Sequence, residues 1–143
     1  MIRTYGLTHV ALAVTNAERS LQFYQRILGV IPVYREAGFV QAQTPGSRDV
    51  LVFEEGAPNI GQRGGVAHFG FRVIEPADVG RALDEIADAG GRILSHGEFC
   101  PGEPYAFFAD PDGYEVELWH ELSTPVDPPA SGTLRSPSSL SES

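Results

Sequence analysis

Apolar positions along this chain switch between two periods in an order that repeats. The segment Leu7-Thr-His-Val-Ala-Leu-Ala-Val14 alternates, placing Val10, Leu12 and Val14 on one face and His9, Ala11 and Ala13 on the other, the two-residue period of a strand. Leu21, Tyr24, Ile27 and Leu28 then recur at helical spacing, between the capping-box candidate Thr15-Asn-Ala-Glu18 and a terminating Gly29. Short strands are predicted at 31–35, 38–43 and 49–54, the last preceded by the turn Thr44-Pro-Gly-Ser47. The same order returns further on. An alternating segment at 66–73 leads to Glu75-Pro76, where proline suits a first helical turn. Val79, Ala82, Leu83 and Ile86 form the next buried stripe, Gly90-Gly91 end it, and strands are predicted at 92–96, 105–109 and 114–119 around the turn Asp110-Pro-Asp-Gly113. The pattern predicts an α+β fold of two tandem βαβββ modules, with module one at 1–55, a linker at 56–65 and module two at 66–122.

The repeat gives the histidines their interest. His9 and His68 each occupy the third position of a module's first strand. Taken singly, a strand histidine is more often a half-buried residue than a ligand. Here His9 shares its face with Ala11 and Ala13, and His68 shares its face with Gly70 and Arg72, while Val10, Leu12, Phe69 and Phe71 take the other sides. Small neighbours leave room in front of both imidazoles, as on a cavity wall. In the last strand, Glu117 shares its face with Glu115 and Trp119, and a strand-interior carboxylate is costly to bury unless it is paired or bound to a metal. Two imidazoles and one carboxylate suit a divalent ion that keeps positions open. Laying the last strand of module one over that of module two sets Val52 against Glu117, with Glu54 two residues on and on the same face. Arg72, on the face of His68, is a candidate to hold an anionic substrate group, or else to pair with Glu54 or Glu115. His96 and His120 have no counterpart in the repeat, and Cys100 sits in a Pro/Gly loop without a paired base.

Composition narrows the classes. Net charge is −9 and the ten basic residues are scattered, which argues against a nucleic-acid binder. A single cysteine excludes an internal disulfide, and no apolar run is long enough to span a bilayer. The N-terminus shows no signal-peptide pattern, so a cytoplasmic protein is expected. Residues 123–143 are rich in Ser and Pro without periodicity, and they read as a flexible extension without chemistry or, alternatively, as a segment wrapping a partner subunit.

Thr8-His-Val-Ala-Leu12, Ser20-Leu-Gln-Phe-Tyr24 with Leu28-Gly29, Ala67-His-Phe-Gly-Phe71 and Asp110-Pro-Asp-Gly-Tyr-Glu-Val-Glu-Leu118 together resemble the vicinal oxygen chelate superfamily, which includes glyoxalase I, extradiol dioxygenases, fosfomycin-resistance transferases and bleomycin-binding proteins. The resemblance runs from Leu7 to about Glu121. It implies a cupped, largely antiparallel mixed sheet, a homodimer whose modules often share sites between chains, and one divalent ion (Fe, Ni, Zn, Mn or Co) on His9, His68 and Glu117. It also implies a small-molecule substrate bound through two adjacent oxygens, with a developing enolate stabilised by the metal. The leading expectation is glyoxalase-like lyase or isomerase chemistry, with Glu54 as proton shuttle; the fourth ligand of glyoxalase I falls here on Val52. The competing one is extradiol ring cleavage at Fe(II). There the branch's tyrosine position is Phe107, and Tyr105 on the same face is the candidate acid/base residue. The third is a non-catalytic binding or resistance protein holding an aromatic ligand against Trp119 and Phe107.

Overall fold

The structure is a computed structural model that describes Met1, Arg3 and residues 5–129. Its elements run β1 (His9–Ala13), α1 (Ala17–Leu28), β2 (Ile31–Glu36), β3 (Phe39–Gln43), β4 (Val50–Glu54), β5 (Phe69–Arg72), α2 (Pro76–Asp88), β6 (Arg92–Glu98), β7 (Pro104–Ala109) and β8 (Glu115–Trp119). They form two four-stranded mixed sheets, ordered β1-β4-β3-β2 and β5-β8-β7-β6. In each, the first strand pairs parallel with the fourth and the other pairings are antiparallel.

Local chemistry explains where the elements stop. Asn16, rather than Thr15, caps α1, its side chain accepting from the Arg19 N–H at 2.9 Å. Gly29 closes that helix with φ +68°, a left-handed conformation glycine adopts without a Cβ clash. Pro76 stands in the first turn of α2, where its missing N–H costs nothing. β2 and β6 begin where alternation predicts and β7 one residue earlier, while β1, β3, β4, β5 and β8 begin one to three residues later; β1 and β5 start late because their outer residues have no strand opposite them to complete the ladder.

Each helix lies on the back of its own sheet, α1 against β3 and β4 and α2 against β6, β7 and β8, and the helices touch each other. The alternation of β1, β4, β7 and β8 therefore buries Leu12, Phe53, Phe108, Val116 and Leu118 in one cluster with Leu21, Tyr24 and Ile86. Both modules feed this single core. Aromatic contacts stitch it, with Tyr24 stacked on Phe53 at 5.4 Å and Phe23 tilted against Phe108 at 6.1 Å.

Polar contacts fix one module on the other. The Asp110-Pro-Asp-Gly113 turn of module two receives the Tyr24 hydroxyl of module one, which donates to Asp110 Oδ2 at 2.7 Å. Asp110 Oδ1 accepts from the backbone N–H groups of Asp112 and Tyr114. The Arg19 guanidinium pairs with Asp112 at 2.7 Å, and the Tyr114 hydroxyl donates to the Ala13 carbonyl at 2.7 Å. Burial pushes the Asp110 carboxyl above the usual carboxylate value, while its hydrogen bonds to Tyr24, Tyr114 and Asp112 pull the other way. Burial, and then the Asp110 charge, hold the Tyr24 phenol well above its ordinary value. Gly61 lies so close to the Asp112 carbonyl that any Cβ would overlap it, which pins the linker to the same turn.

Tyr24→Phe removes one of three donors from a buried carboxylate. It is expected to destabilise the chain by about 1.5–3 kcal/mol, read as a lower urea midpoint at unchanged slope; an unshifted midpoint would show that the modules are held together elsewhere.

Candidate functional site

The faces turned away from the shared core carry the chemistry. On the first sheet, His9 and Ala11 are exposed, Val52 and Glu54 share their side, and together with Thr8, Phe39, Gln41 and Val50 they line a cavity of about 390 Å³. On the second sheet, His68, Gly70, Arg72, Glu117, Trp119 and Glu121 line another, of about 320 Å³. The predicted site residues thus fall into two groups. His68, Glu117, Arg72, Tyr105, Phe107 and Trp119 come together on one sheet, and His9 and Glu54 lie on the other.

Within the second group, His68 Nε2 stands 3.3 Å from Glu117 Oε2. Gly70 makes this approach possible. It pairs directly with Glu117, and a Cβ on it would lie 3.0 Å from the Glu117 carbonyl and 3.1 Å from the Glu117 Cβ. Phe107, also paired with Glu117, sets its ring edge-on to His68 at 5.1 Å and 86°. Two residues along, Tyr105 pairs with Trp119, and Phe99 stacks on Tyr105 at 4.0 Å while meeting Trp119 edge-on at 5.6 Å. Trp119 Nε1 is buried without a hydrogen-bond partner among the described residues, a cost of about 1–3 kcal/mol that an acceptor on a bound molecule would relieve. Phe99 escaped the sequence reading because it sits outside the strand pattern; its only signal is an aromatic ring in a polar loop.

Strand register settles the comparison of modules. His9 pairs with Val50 and Ala11 with Val52, while Gly70 pairs with Glu117. Superposing His9 on His68 therefore puts Val52 on Glu117 and Glu54 on Trp119. Glu54 pairs with Ala13, four residues beyond His9 and so ~13 Å along the strands. Among the described residues, no three His, Cys, Asp or Glu side chains of one chain converge as a metal site. His120 Nδ1 lies 3.1 Å from the Gly102 carbonyl, and His96 is exposed on β6.

Arg72 has partners other than the two expected. Its guanidinium makes a two-pronged pair with Asp127, Nη1 to Oδ1 at 2.9 Å and Nη2 to Oδ2 at 2.8 Å, and Glu121 Oε2 is 3.6 Å from Nε. Glu115 pairs instead with Arg63. Asp127 belongs to the segment from residue 123 that the sequence suggests is a flexible extension without chemistry or a segment wrapping a partner subunit. The described part of that segment, 123–129, includes a turn in which the Thr124 N–H and hydroxyl both donate to Asp127 at 3.0 Å; residues 130–143 lie outside the described residues. The Arg72 hydrogen bonds, followed by those from Thr124, hold the Asp127 carboxyl well below the usual carboxylate range.

The model of the Glyoxalase/Bleomycin resistance protein/Dioxygenase superfamily matches residues 6–118. The chain belongs to this superfamily. Among superfamily proteins, a trivalent organoarsenical cleaving enzyme of Bacillus sp. (strain MD1) is 32% identical over 124 residues, 81% of this chain and 73% of that protein. Catechol-2,3-dioxygenase of Bacillus subtilis (strain 168) is 29% identical over 119 residues, 78% of this chain, and the match spans only 41% of that relative's length. The fold matches that of the fosfomycin resistance protein FosX of Listeria monocytogenes, solved as a variant with Mn(II) and 1S,2S-dihydroxypropylphosphonic acid, with TM-score 0.67 at 21% identity over 81% of this chain and 90% of that one. No helix among the described residues is long and apolar enough to cross a membrane.

Gly70→Ala forces a methyl group against Glu117. It is expected to cost about 1–3 kcal/mol and to part His68 from Glu117; a thermal or urea melt matching the parent would show that β5 and β8 absorb the methyl without moving.

Proposed function

We propose that two copies of the chain form a metal-dependent enzyme acting on a small molecule. His68 and Glu117 of one copy and His9 of the partner subunit would hold one divalent ion. The reading rests on one observation above all: a 3.3 Å imidazole–carboxylate pair on one open sheet face and an equivalent imidazole, at the matching register, on a different open face. A two-fold pairing of copies that sets unlike faces together would complete two identical sites. The donor set fits such an ion, two nitrogens and one oxygen on open faces with no further carboxylate at the fourth equivalent position, where Val52 stands. An ion bound there supplies Lewis acidity and leaves positions for two neighbouring substrate oxygens.

This donor set favours oxygen chemistry at iron over a four-ligand glyoxalase centre. Two histidines and one carboxylate are the set of non-haem Fe(II) oxygenases, and a catechol dioxygenase is among the relatives. Phe107 and Trp119 would flank the substrate ring, and Tyr105, on the same face, would exchange a proton with it. A lyase or isomerase reading keeps support from Glu54, an exposed carboxylate at the far end of the His9 cavity that would reach substrate rather than metal.

Metal analysis of protein purified without oxygen separates these readings. Iron with ring cleavage of catechol supports the first, nickel or zinc with hemithioacetal turnover the second, and tight ligand binding without any metal overturns both. Sharing of the site has its own test. His9→Ala and His68→Ala homodimers are each expected to lose metal. Mixing them and allowing exchange should restore about a quarter of the sites, because half the dimers are then mixed and each carries one intact site. No recovery would place all three ligands in one chain.

A further inference from the structure

Arg72 faces the candidate site, yet its guanidinium is fully engaged by a segment beyond the last strand. Besides the two-pronged pair with Asp127, Nη2 donates to the carbonyls of Leu122 at 3.1 Å and Glu121 at 3.3 Å. Each guanidinium Nη donates to a separate carboxylate oxygen, the two-pronged pairing by which a guanidinium recognises an exogenous carboxylate, here with the carboxylate supplied by the chain itself. We propose that the Arg72 pocket is a carboxylate-binding subsite for planar aromatic acids, and that Asp127 is its built-in competitor.

Four features carry this. The Thr124–Asp127 turn is self-contained, since Thr124 gives two hydrogen bonds to Asp127 and its carbonyl accepts the Asp127 N–H at 3.3 Å. It is thus able to leave and return as a unit. Exchange for an external carboxylate conserves charge around Arg72, with Glu121 at 3.6 Å present in both states. Trp119 pairs with Arg72 in the sheet and lines the same cavity, with Phe99 edge-on to it, so a ring carrying the carboxylate meets aromatic surface beside the guanidinium. The segment from Leu122 is tied down at its root, where the Leu122 N–H donates to Glu103 Oε1 at 3.1 Å, which limits the movement to the turn.

Trp119 is the single tryptophan of the chain, so its fluorescence reports binding in this pocket. The test titrates benzoate and the neutral isostere benzamide into the metal-free full-length chain, which keeps the outcome independent of the proposed ion. Asp127→Asn is expected to tighten benzoate binding roughly ten-fold, the factor for a pocket open in about one molecule in ten, and benzamide, which lacks the charge to pair with the guanidinium, should bind more weakly than benzoate to both proteins. Arg72→Gln should abolish the preference for benzoate. Benzoate binding equally well to the parent and Asp127→Asn, a preference that survives Arg72→Gln, or no benzoate binding by any variant would each overturn the proposal.

Discussion

One helix can cover one face of a sheet, and among the described residues each sheet has a single helix. That constraint shapes the molecule. The covered faces of both sheets meet in one core through Tyr24, Phe53, Phe108 and Ile86, so the uncovered faces are left to solvent or to another molecule. An antiparallel-rich sheet tolerates this where the uncovered face alternates with the buried one. Here the uncovered positions are not a uniform polar surface. They include His9, His68 and Glu117, with small residues around the imidazoles and aromatic rings at the margin.

The two uncovered faces share one plan and differ in detail. Their registers are equivalent, and the differences sit at positions that matter chemically. Module two has glycine opposite Glu117, letting the carboxylate come within 3.3 Å of His68. Module one has Ala11 opposite Val52 at the same place. One module therefore offers a donor pair and the other a lone imidazole. The aromatic rings also gather on module two, where Phe99, Tyr105, Phe107 and Trp119 form a continuous edge and stacking series. A molecule seated between two such faces would meet an imidazole from each and aromatic surface chiefly from one.

Module docking depends on a buried acid. Asp110 is 5% exposed, and its charge is tolerated because a phenol and two backbone N–H groups donate to it. The same turn accepts Arg19 and excludes any side chain at Gly61. This turn and the shared core together hold the two sheets in place relative to one another, away from the open faces that carry His9 and His68.

Much of this was legible in the residue order. The doubled βαβββ pattern, the face carrying His9 and the face carrying His68 follow from periods of two and 3.6, which are local properties of the backbone. The equivalence of Val52 with Glu117 could be read the same way, since parallel pairing preserves spacing between matching strands. Tertiary structure alone decided the rest. That Asn16 rather than Thr15 caps α1 turns on one residue of chain path, and that Arg72 meets Asp127 rather than Glu54 or Glu115 turns on a contact between residues 55 apart. The separation of His9 from His68 onto different open faces is likewise invisible to periodicity. Periodicity says which side of its own sheet a residue occupies, while the direction that sheet faces is fixed by long-range packing of both modules on one core.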